Sequence, residues 1–172
     1  MSIRAQISEN AARLQAMYAE IERTFSAEPH GASHAAACAA FHGAFDSLAF
    51  PGGLEHFRRR LKRLEPAAIE EAIEFLEADP WFNCSGYVKE EIVRRLKQAV
   101  LTDRQRNRLA GVVRRSLSAG TRRIARHLAK LAPVVNSPSF RKGVESLASS
   151  SDEAKLRAKH IEDVLQGHPQ TT

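Results

Sequence analysis

The sequence lacks several features that would place it in a specialised class of protein. It contains only two cysteines, Cys38 and Cys84, which are too few for a disulfide scaffold and are predicted to be free thiols. It has no run of about 18 apolar residues, so no transmembrane helix is predicted. The polar N-terminus lacks the apolar segment of a secretory signal. These absences favour a cytoplasmic protein that does not enter a membrane.

Glycine, proline and aromatic residues are also scarce. The 172 residues include nine glycines and seven prolines, and aromatic residues make up 6%. With 43% hydrophobic and 27% charged residues, the composition is that of a globular chain and excludes a disordered or low-complexity one. A chain of this length usually forms one domain with a sizeable core, so residues 1–172 are predicted to be a single domain.

Apolar residues recur at helical spacing along nearly the whole chain, and no segment alternates as a strand does. The pattern predicts an all-α protein of about nine helices, whose short connections favour antiparallel neighbours. The seventh helix is expected to end at Pro133, and residues 167–172 are expected to fray. The helices are expected to begin near Ser2, Gly31, Leu54, Pro66, Ser85, Thr102, Thr121, Ser137 and Ser151.

The second part of the chain shows helix pairs at intervals of about 35–40 residues, the period of helical solenoids. The pattern is clearest in the last two predicted helices, in Ser137, Pro138, Arg141, Val144 and Leu147, followed by Asp152, Leu156, Arg157, Ala158, Ile161 and Leu165. On these residues, the segment from about 79 to 166 resembles HEAT-like helical repeats. The resemblance implies a short α-solenoid over residues 54–166. The helices before residue 79 depart from the pattern in length and linker composition, so residues 1–50 are predicted to form a divergent helical part.

The net charge of +6 is distributed unevenly along the chain. Residues 1–53 and 54–79 each carry −2, residues 80–132 carry +10, and residues 133–172 are neutral. Most of the basic residues between 80 and 132 are arginines, which suit bidentate contacts with carboxylate or phosphate. Helical spacing places them on faces away from the apolar residues. The candidate partner-binding residues are Arg94, Arg104, Arg108, Arg115, Arg122, Arg123, Arg126 and Lys130.

Three interpretations of this basic segment remain open. It is a set of solvated helix faces, a surface for an acidic protein partner, or a surface for a nucleic-acid backbone. Residues 88–132 contain no Phe, Trp or Tyr for base stacking, which disfavours single-stranded nucleic acid. Trp81 is a further candidate contact residue, and the competing interpretation places it with Phe82 as a packed plug between helices.

One stripe in the N-terminal part has the residue types of a metal site. His34, Cys38 and His42 are four residues apart, so each successive side chain turns by about 40° on a helix. They are candidate zinc ligands that would need a fourth ligand from elsewhere. The alternative is that Cys38 is a small core residue beside Phe41 and Phe45. Neither a Cys-x-x-Cys pair nor a second ligand cluster is present, so no metal site is expected.

Catalytic signatures are absent from the sequence, including a Gly-x-Ser-x-Gly elbow and a phosphate-binding glycine-rich loop. We therefore expect no enzymatic activity and no cofactor. The expected function is that of a helical scaffold that binds an acidic protein partner, in the manner of an immunity protein, an antitoxin or an adaptor. Nucleic-acid binding through the same basic residues is the alternative. No pattern indicates a particular oligomeric state.

Overall fold

The structure is a computed structural model, and it describes the backbone of residues 2–119 and 122–167. The side chains of residues 117–124 lie outside the described part. Within these ranges the chain forms ten α-helices and no strand, which confirms the prediction of an all-α protein. The stacking of these helices as a solenoid stays a prediction. The helix start expected at Thr121 and, beyond Gly167, the frayed tail expected over residues 167–172 fall outside the described residues.

The helices follow one another with short connections. They are α1 (Ile3–Ala27), α2 (Ala32–Ala49), α3 (Leu54–Lys62), α4 (Pro66–Ala78), α5 (Ser85–Leu96), α6 (Asp103–Ala119), α7 (Arg122–Ala129), α8 (Ala132–Val135), α9 (Pro138–Ala148) and α10 (Asp152–Gln166).

The predicted caps explain several helix starts. The hydroxyls of Ser137 and Ser151 accept hydrogen bonds from the backbone N–H three residues later, at 3.2 and 3.1 Å. Thr102 and Gln105 form a reciprocal capping box before α6, because the Thr102 N–H donates to Gln105 Oε1 and the Gln105 N–H donates to Thr102 Oγ1. Each of these caps satisfies backbone donors that the first helical turn leaves without a partner.

The seventh predicted helix is shorter than expected and is followed by a separate short helix. The structure ends α7 at Ala129, and Pro133 lies in the first turn of α8 instead of closing the preceding helix. Proline has no N–H to donate to the preceding turn, yet its fixed φ suits a first helical position. This break accounts for ten helices where about nine were expected.

The chain divides into two compact units, residues 1–88 and 89–172, and the division falls inside α5. In unit 1, α1 packs against α2 and α4, and α3 packs against α2 and α4. Its core contains three phenylalanines that are each less than 2% exposed. The rings of Phe50 and Phe57 stack with centroids 3.7 Å apart, and Phe75 lies 5.7 Å from Phe50.

In unit 2, α6 packs against α7, α8 and α9, and α10 packs against the same three helices and against α6. Its fully buried side chains include Leu109, Val113, Leu131, Phe140 and Ile161. Across both units, none of the described helices combines the length and the apolar character that a membrane crossing requires.

Candidate binding surface of the second unit

The two compact units carry charge of opposite sign. Residues 1–88 contain eight basic and twelve acidic residues, a formal net charge of −4. Residues 89–172 contain eighteen basic and eight acidic residues, a formal net charge of +10. The basic segment found in the sequence therefore belongs almost entirely to one compact body, and the electrostatic potential around that body is positive.

In unit 1 most arginines are already neutralised by carboxylates of the same unit. Arg60 donates two hydrogen bonds to Glu71, at 2.9 and 3.1 Å, and a third to Glu65 at 3.2 Å. The hydrogen bonds to Glu71 are the main reason why the pKa of Arg60 is raised. Arg4 pairs with Glu74 and Glu77 across α1 and α4. The remaining pairs join Arg23 to Glu20, Arg58 to Glu55 and Arg63 to Glu65.

The acidic face of α4 is therefore structural. Glu71, Glu74 and Glu77 hold arginines from α3 and α1. These three carboxylates therefore neutralise arginines of the same unit.

In unit 2 three of the five arginines of α6 form a stripe beside its buried face. Leu109, Val113 and Ser116 are buried, whereas Arg104 and Arg115 are exposed and Arg108 is half-buried. On a helical wheel these three arginines lie about 100° to 140° from Leu109, all on the same side. Arg108 and Arg115 have interaction partners within the protein, so they contribute charge but are already engaged.

The helices that precede and follow α6 in the chain, α5 and α7, add further exposed cations. Arg94 and Lys97 are exposed on α5 and directly after it, and Arg126 and Lys130 are exposed on α7 and directly after it. Ala125, Leu128 and Ala129 fill the opposite, buried face of α7. The same helical periodicity that buries the apolar residues thus directs these charges to solvent.

Five of these cations have no ion pair with any residue that the structure describes. They are Arg94, Lys97, Arg104, Arg126 and Lys130, and we call them the unpaired cations. Arg106, by contrast, pairs with Asp103 at 3.1 Å, and Arg114 lies over α9. A Cβ on Gly143 would be only 2.8 Å from the Arg114 Cδ, so this glycine makes room for the arginine.

The other predicted contact residues do not belong to this set, for two different reasons. Trp81 belongs to unit 1 and is 66% exposed, while its neighbour Phe82 is buried against Phe45 with ring centroids 6.1 Å apart. The Trp81 carbonyl accepts a hydrogen bond from the Gln15 side chain, which fixes the backbone below the exposed ring. Of the two aromatic residues, only Phe82 therefore packs between helices. The side chains of Arg122 and Arg123 lie outside the described residues.

The histidine and cysteine stripe of α2 converges only in part. The Cys38 Sγ lies 3.6 Å from the Nε2 of His34, and the Nδ1 of His34 lies 3.3 Å from the Thr24 Oγ1 on α1. His42 is exposed and its ring contacts Phe41 instead. Among the described residues, no group of three His, Cys, Asp or Glu side chains is placed to hold a metal ion. The turn of about 80° between His34 and His42 explains why the three do not meet.

Comparison of the chain with protein-family models, with curated proteins and with solved structures found no match. The geometry of the chain itself is therefore the basis for a functional proposal. The chemistry that the described surface of unit 2 offers is the binding of negative charge by arginine and lysine.

Proposed function

We propose that this protein is a non-enzymatic binding module that holds an acidic protein partner on the unpaired cations of unit 2. The observation that carries the proposal is the contrast between the two units. Unit 1 carries a net charge of −4 and pairs five of its seven arginines with its own carboxylates, whereas unit 2 carries +10 and leaves Arg94, Lys97, Arg104, Arg126 and Lys130 exposed without an ion pair among the described residues. Charges that have no internal partner are available for a partner's carboxylates.

A net charge of +10 on one compact body attracts an acidic surface over a longer distance than any single contact does. Complementary potentials raise the rate of association and disfavour partners of the wrong sign. Arginine then fixes the orientation, because its planar guanidinium binds a carboxylate through two parallel hydrogen bonds. Arg94, Arg104 and Arg126 supply one such group from each of three consecutive helices.

The distribution of aromatic residues favours protein over single-stranded nucleic acid as the partner. Phe140 is the only Phe, Trp or Tyr among residues 89–172, and it is 1% exposed. Unit 2 therefore offers no aromatic platform on which unpaired bases stack. A duplex backbone does not need such a platform and is recognised by Lys and Arg alone. Duplex nucleic acid is thus the second candidate partner for the same residues.

A helical module that binds without catalysis is the class to which immunity proteins, antitoxins and adaptors belong, and we propose a cytoplasmic protein of this class. The HEAT-like resemblance of residues 79–166 is consistent with it, since helical repeats commonly serve as binding scaffolds.

The experiment compares two sets of charge reversals in the full chain. The test variant combines Arg104→Glu, Arg126→Glu and Lys130→Glu on unit 2. The matched control combines Arg13→Glu, Arg59→Glu and Lys62→Glu, which are exposed cations of unit 1 without an ion pair among the described residues. Both variants change the net charge equally. Binding of labelled polyglutamate and of a labelled DNA duplex is measured by fluorescence anisotropy at about 0.15 M salt.

The proposal predicts that the native protein and the control bind polyglutamate, that the test variant does not, and that duplex binding is negligible at this salt concentration. Binding of the duplex with a steep salt dependence, lost in the test variant, would support the second candidate instead. Equal binding by the test variant and the control, or no binding of either probe, contradicts the assignment of these residues as a binding surface.

A further inference from the structure

The interface between α1 and α2 contains a thiol, an imidazole and a hydroxyl in a row. Cys38 and His34 lie one turn apart on α2, and Thr24 faces them from the last turn of α1. Such a row matches the arrangement of a nucleophile, a base and a group that orients the base. These residues belong to unit 1 and include none of the unpaired cations of unit 2.

The hydrogen bonds of Thr24 determine which nitrogen of His34 carries the proton. Thr24 is 4% exposed, and its Oγ1 lies 2.8 Å from the Glu20 carbonyl oxygen and 3.1 Å from that of Ile21. Both are acceptors, so the single hydroxyl hydrogen points to them. The contact of 3.3 Å with His34 Nδ1 is then a hydrogen bond that the ring N–H donates to Oγ1.

This assignment leaves the other ring nitrogen as an acceptor. In a neutral imidazole with Nδ1 protonated, Nε2 carries a lone pair. That lone pair faces the Cys38 Sγ at 3.6 Å, so the thiol donates its hydrogen to His34. The ring of Phe25, with its centroid 5.3 Å from that of His34, restricts the imidazole from a further side. The base is thus held by contacts on both helices.

The surroundings of Cys38 consist of small and partly exposed side chains. Cys38 is half-buried, and its neighbours Ala35 and Ala39 on the same helix are exposed and carry only methyl side chains. Phe25, which is 52% exposed, provides an apolar wall beside His34. A low-molecular-weight reagent is therefore a better match for this position than a folded protein.

We propose that Cys38 is a modification site that exchanges with low-molecular-weight disulfides, with His34 as the base and Thr24 as its positioning residue. His34 Nε2 takes the thiol proton while the sulfur attacks one sulfur of the disulfide. The disulfide bond of the reagent breaks, and a new S–S bond joins one half of it to Cys38. The other half leaves as a thiolate and receives the proton from the His34 Nε2–H. One thiol and one disulfide are consumed, and one thiol and one mixed disulfide are formed.

The second cysteine provides an internal reference for the test. Cys84 is exposed, and its thiol has no hydrogen-bond partner among the described residues, so its reactivity reports a thiol without a hydrogen-bonded base. The full chain is prepared as Cys84→Ser, which leaves Cys38, and as Cys38→Ser, which leaves Cys84. Each is treated with oxidised glutathione at neutral pH, and the rate at which the glutathione adduct forms is followed by intact-protein mass.

We expect Cys38 to react faster than Cys84 although it is less exposed. Adding His34→Gln to the Cys84→Ser protein keeps a hydrogen-bonding side chain but removes the base, and it should slow the reaction about tenfold. The decrease is limited because thiolate that forms without the base also attacks the disulfide. Thr24→Val, which removes the acceptor for Nδ1–H, should produce a smaller decrease. Circular dichroism verifies that each variant is folded.

The pH profile keeps the proposal testable even where a variant does not fold. Protonation of an imidazole removes the lone pair of its Nε2. The pH profile of the Cys38 reaction should therefore differ from that of the Cys84 reaction, in which no hydrogen-bonded imidazole takes part. An unreactive Cys38, a rate that His34→Gln leaves unchanged in a folded protein, or identical pH profiles for the two thiols would each overturn the proposal.

Discussion

At the scale of single residues, α3 begins without a side-chain cap of its own. Its N-cap is Gly53, whose φ of +94° is accessible to glycine and strained for other residues. The missing acceptor comes from the preceding helix, since Asp46 Oδ1 accepts a hydrogen bond of 2.8 Å from the Glu55 N–H. The carboxylate also favours this helix terminus electrostatically. No local pattern connects Asp46 with Glu55, so the sequence offered no signal for this cap.

Asp46→Ala is expected to destabilise the protein by about 1 kcal/mol, the usual contribution of an N-cap acceptor. Ser47→Ala is the matched control. The Ser47 hydroxyl donates only to the Ala44 carbonyl of its own helix, at 3.0 Å, and alanine has the higher helix propensity. Urea unfolding followed by circular dichroism measures both. A loss of stability in the control as large as in Asp46→Ala would show that the cap is not the cause.

Two glycines should respond in opposite directions to the same substitution. Gly43 lies inside α2, and a Cβ there meets nothing within 4 Å, so Gly43→Ala should stabilise the protein by about 0.5–1 kcal/mol. At Gly53 the φ is positive, and a Cβ would lie 2.9 Å from the Asp46 Oδ2 that caps α3. Gly53→Ala should therefore destabilise it by about 1 kcal/mol or more. The two midpoints in urea should shift in opposite directions, and a shift in the same direction refutes this assignment.

At the scale of helices, most elements follow from local rules, and the exceptions have a physical cause. The caps at Thr102, Ser137 and Ser151 and the apolar spacing are sufficient to predict α6, α9 and α10. The prediction that the seventh helix ends at Pro133 is wrong. A proline is compatible both with the end of one helix and with the first turn of the next, so its presence alone does not distinguish the two positions. The local spacing could not predict the pairing of Arg4 with Glu74 and Glu77, which lie 70 and 73 residues away along the chain.

Ion pairs in the loop that joins α3 to α4 should make the free energy of unfolding of the protein depend on pH in the acidic range. The hydrogen bond from Arg63 holds the pKa of Glu65 below its usual 4.5, and Arg60 lowers it further. Because the pKa in the folded state is below that in the unfolded state, the stabilisation is complete above 4.5 and is lost as pH falls through the folded value.

Glu65→Gln should therefore reduce the loss of stability that the native protein shows when it is acidified below this range. Chemical unfolding at a series of acidic pH values measures the effect. Glu9→Gln is the control, since Glu9 is an exposed carboxylate without an ion pair among the described residues. If both variants keep the native acid dependence, the arginines around Glu65 do not control it.

At the scale of the whole molecule, the distribution of charge along the chain could be predicted from the sequence. Which of these charges find a partner in the fold could not. The +10 of residues 80–132 is visible in the sequence, and the structure assigns most of these residues to one compact unit. Which arginines are neutralised depends on packing. Arg106 meets Asp103 and Arg114 lies over Gly143, whereas Arg94 and Arg104 remain exposed. The sequence likewise could not predict that Phe82 packs against Phe45 of α2 while Trp81 stays exposed.

This charge distribution should make the stability of the protein depend on salt. The unpaired cations repel one another in the folded unit 2, and salt screens this repulsion, since the Debye length falls from about 30 Å at 0.01 M to about 8 Å at 0.15 M. Arg104→Glu, Arg126→Glu and Lys130→Glu together remove much of the repulsion. The combined variant should therefore gain less thermal stability from added salt than the native protein does. The control with Arg13→Glu, Arg59→Glu and Lys62→Glu changes the net charge of unit 1 from −4 to −10 and leaves unit 2 at +10, so it should gain at least as much stability from salt as the native protein does. Thermal unfolding at the two salt concentrations tests this, and equal salt responses of the native protein and the combined variant would show that the positive charge of unit 2 does not oppose its folding.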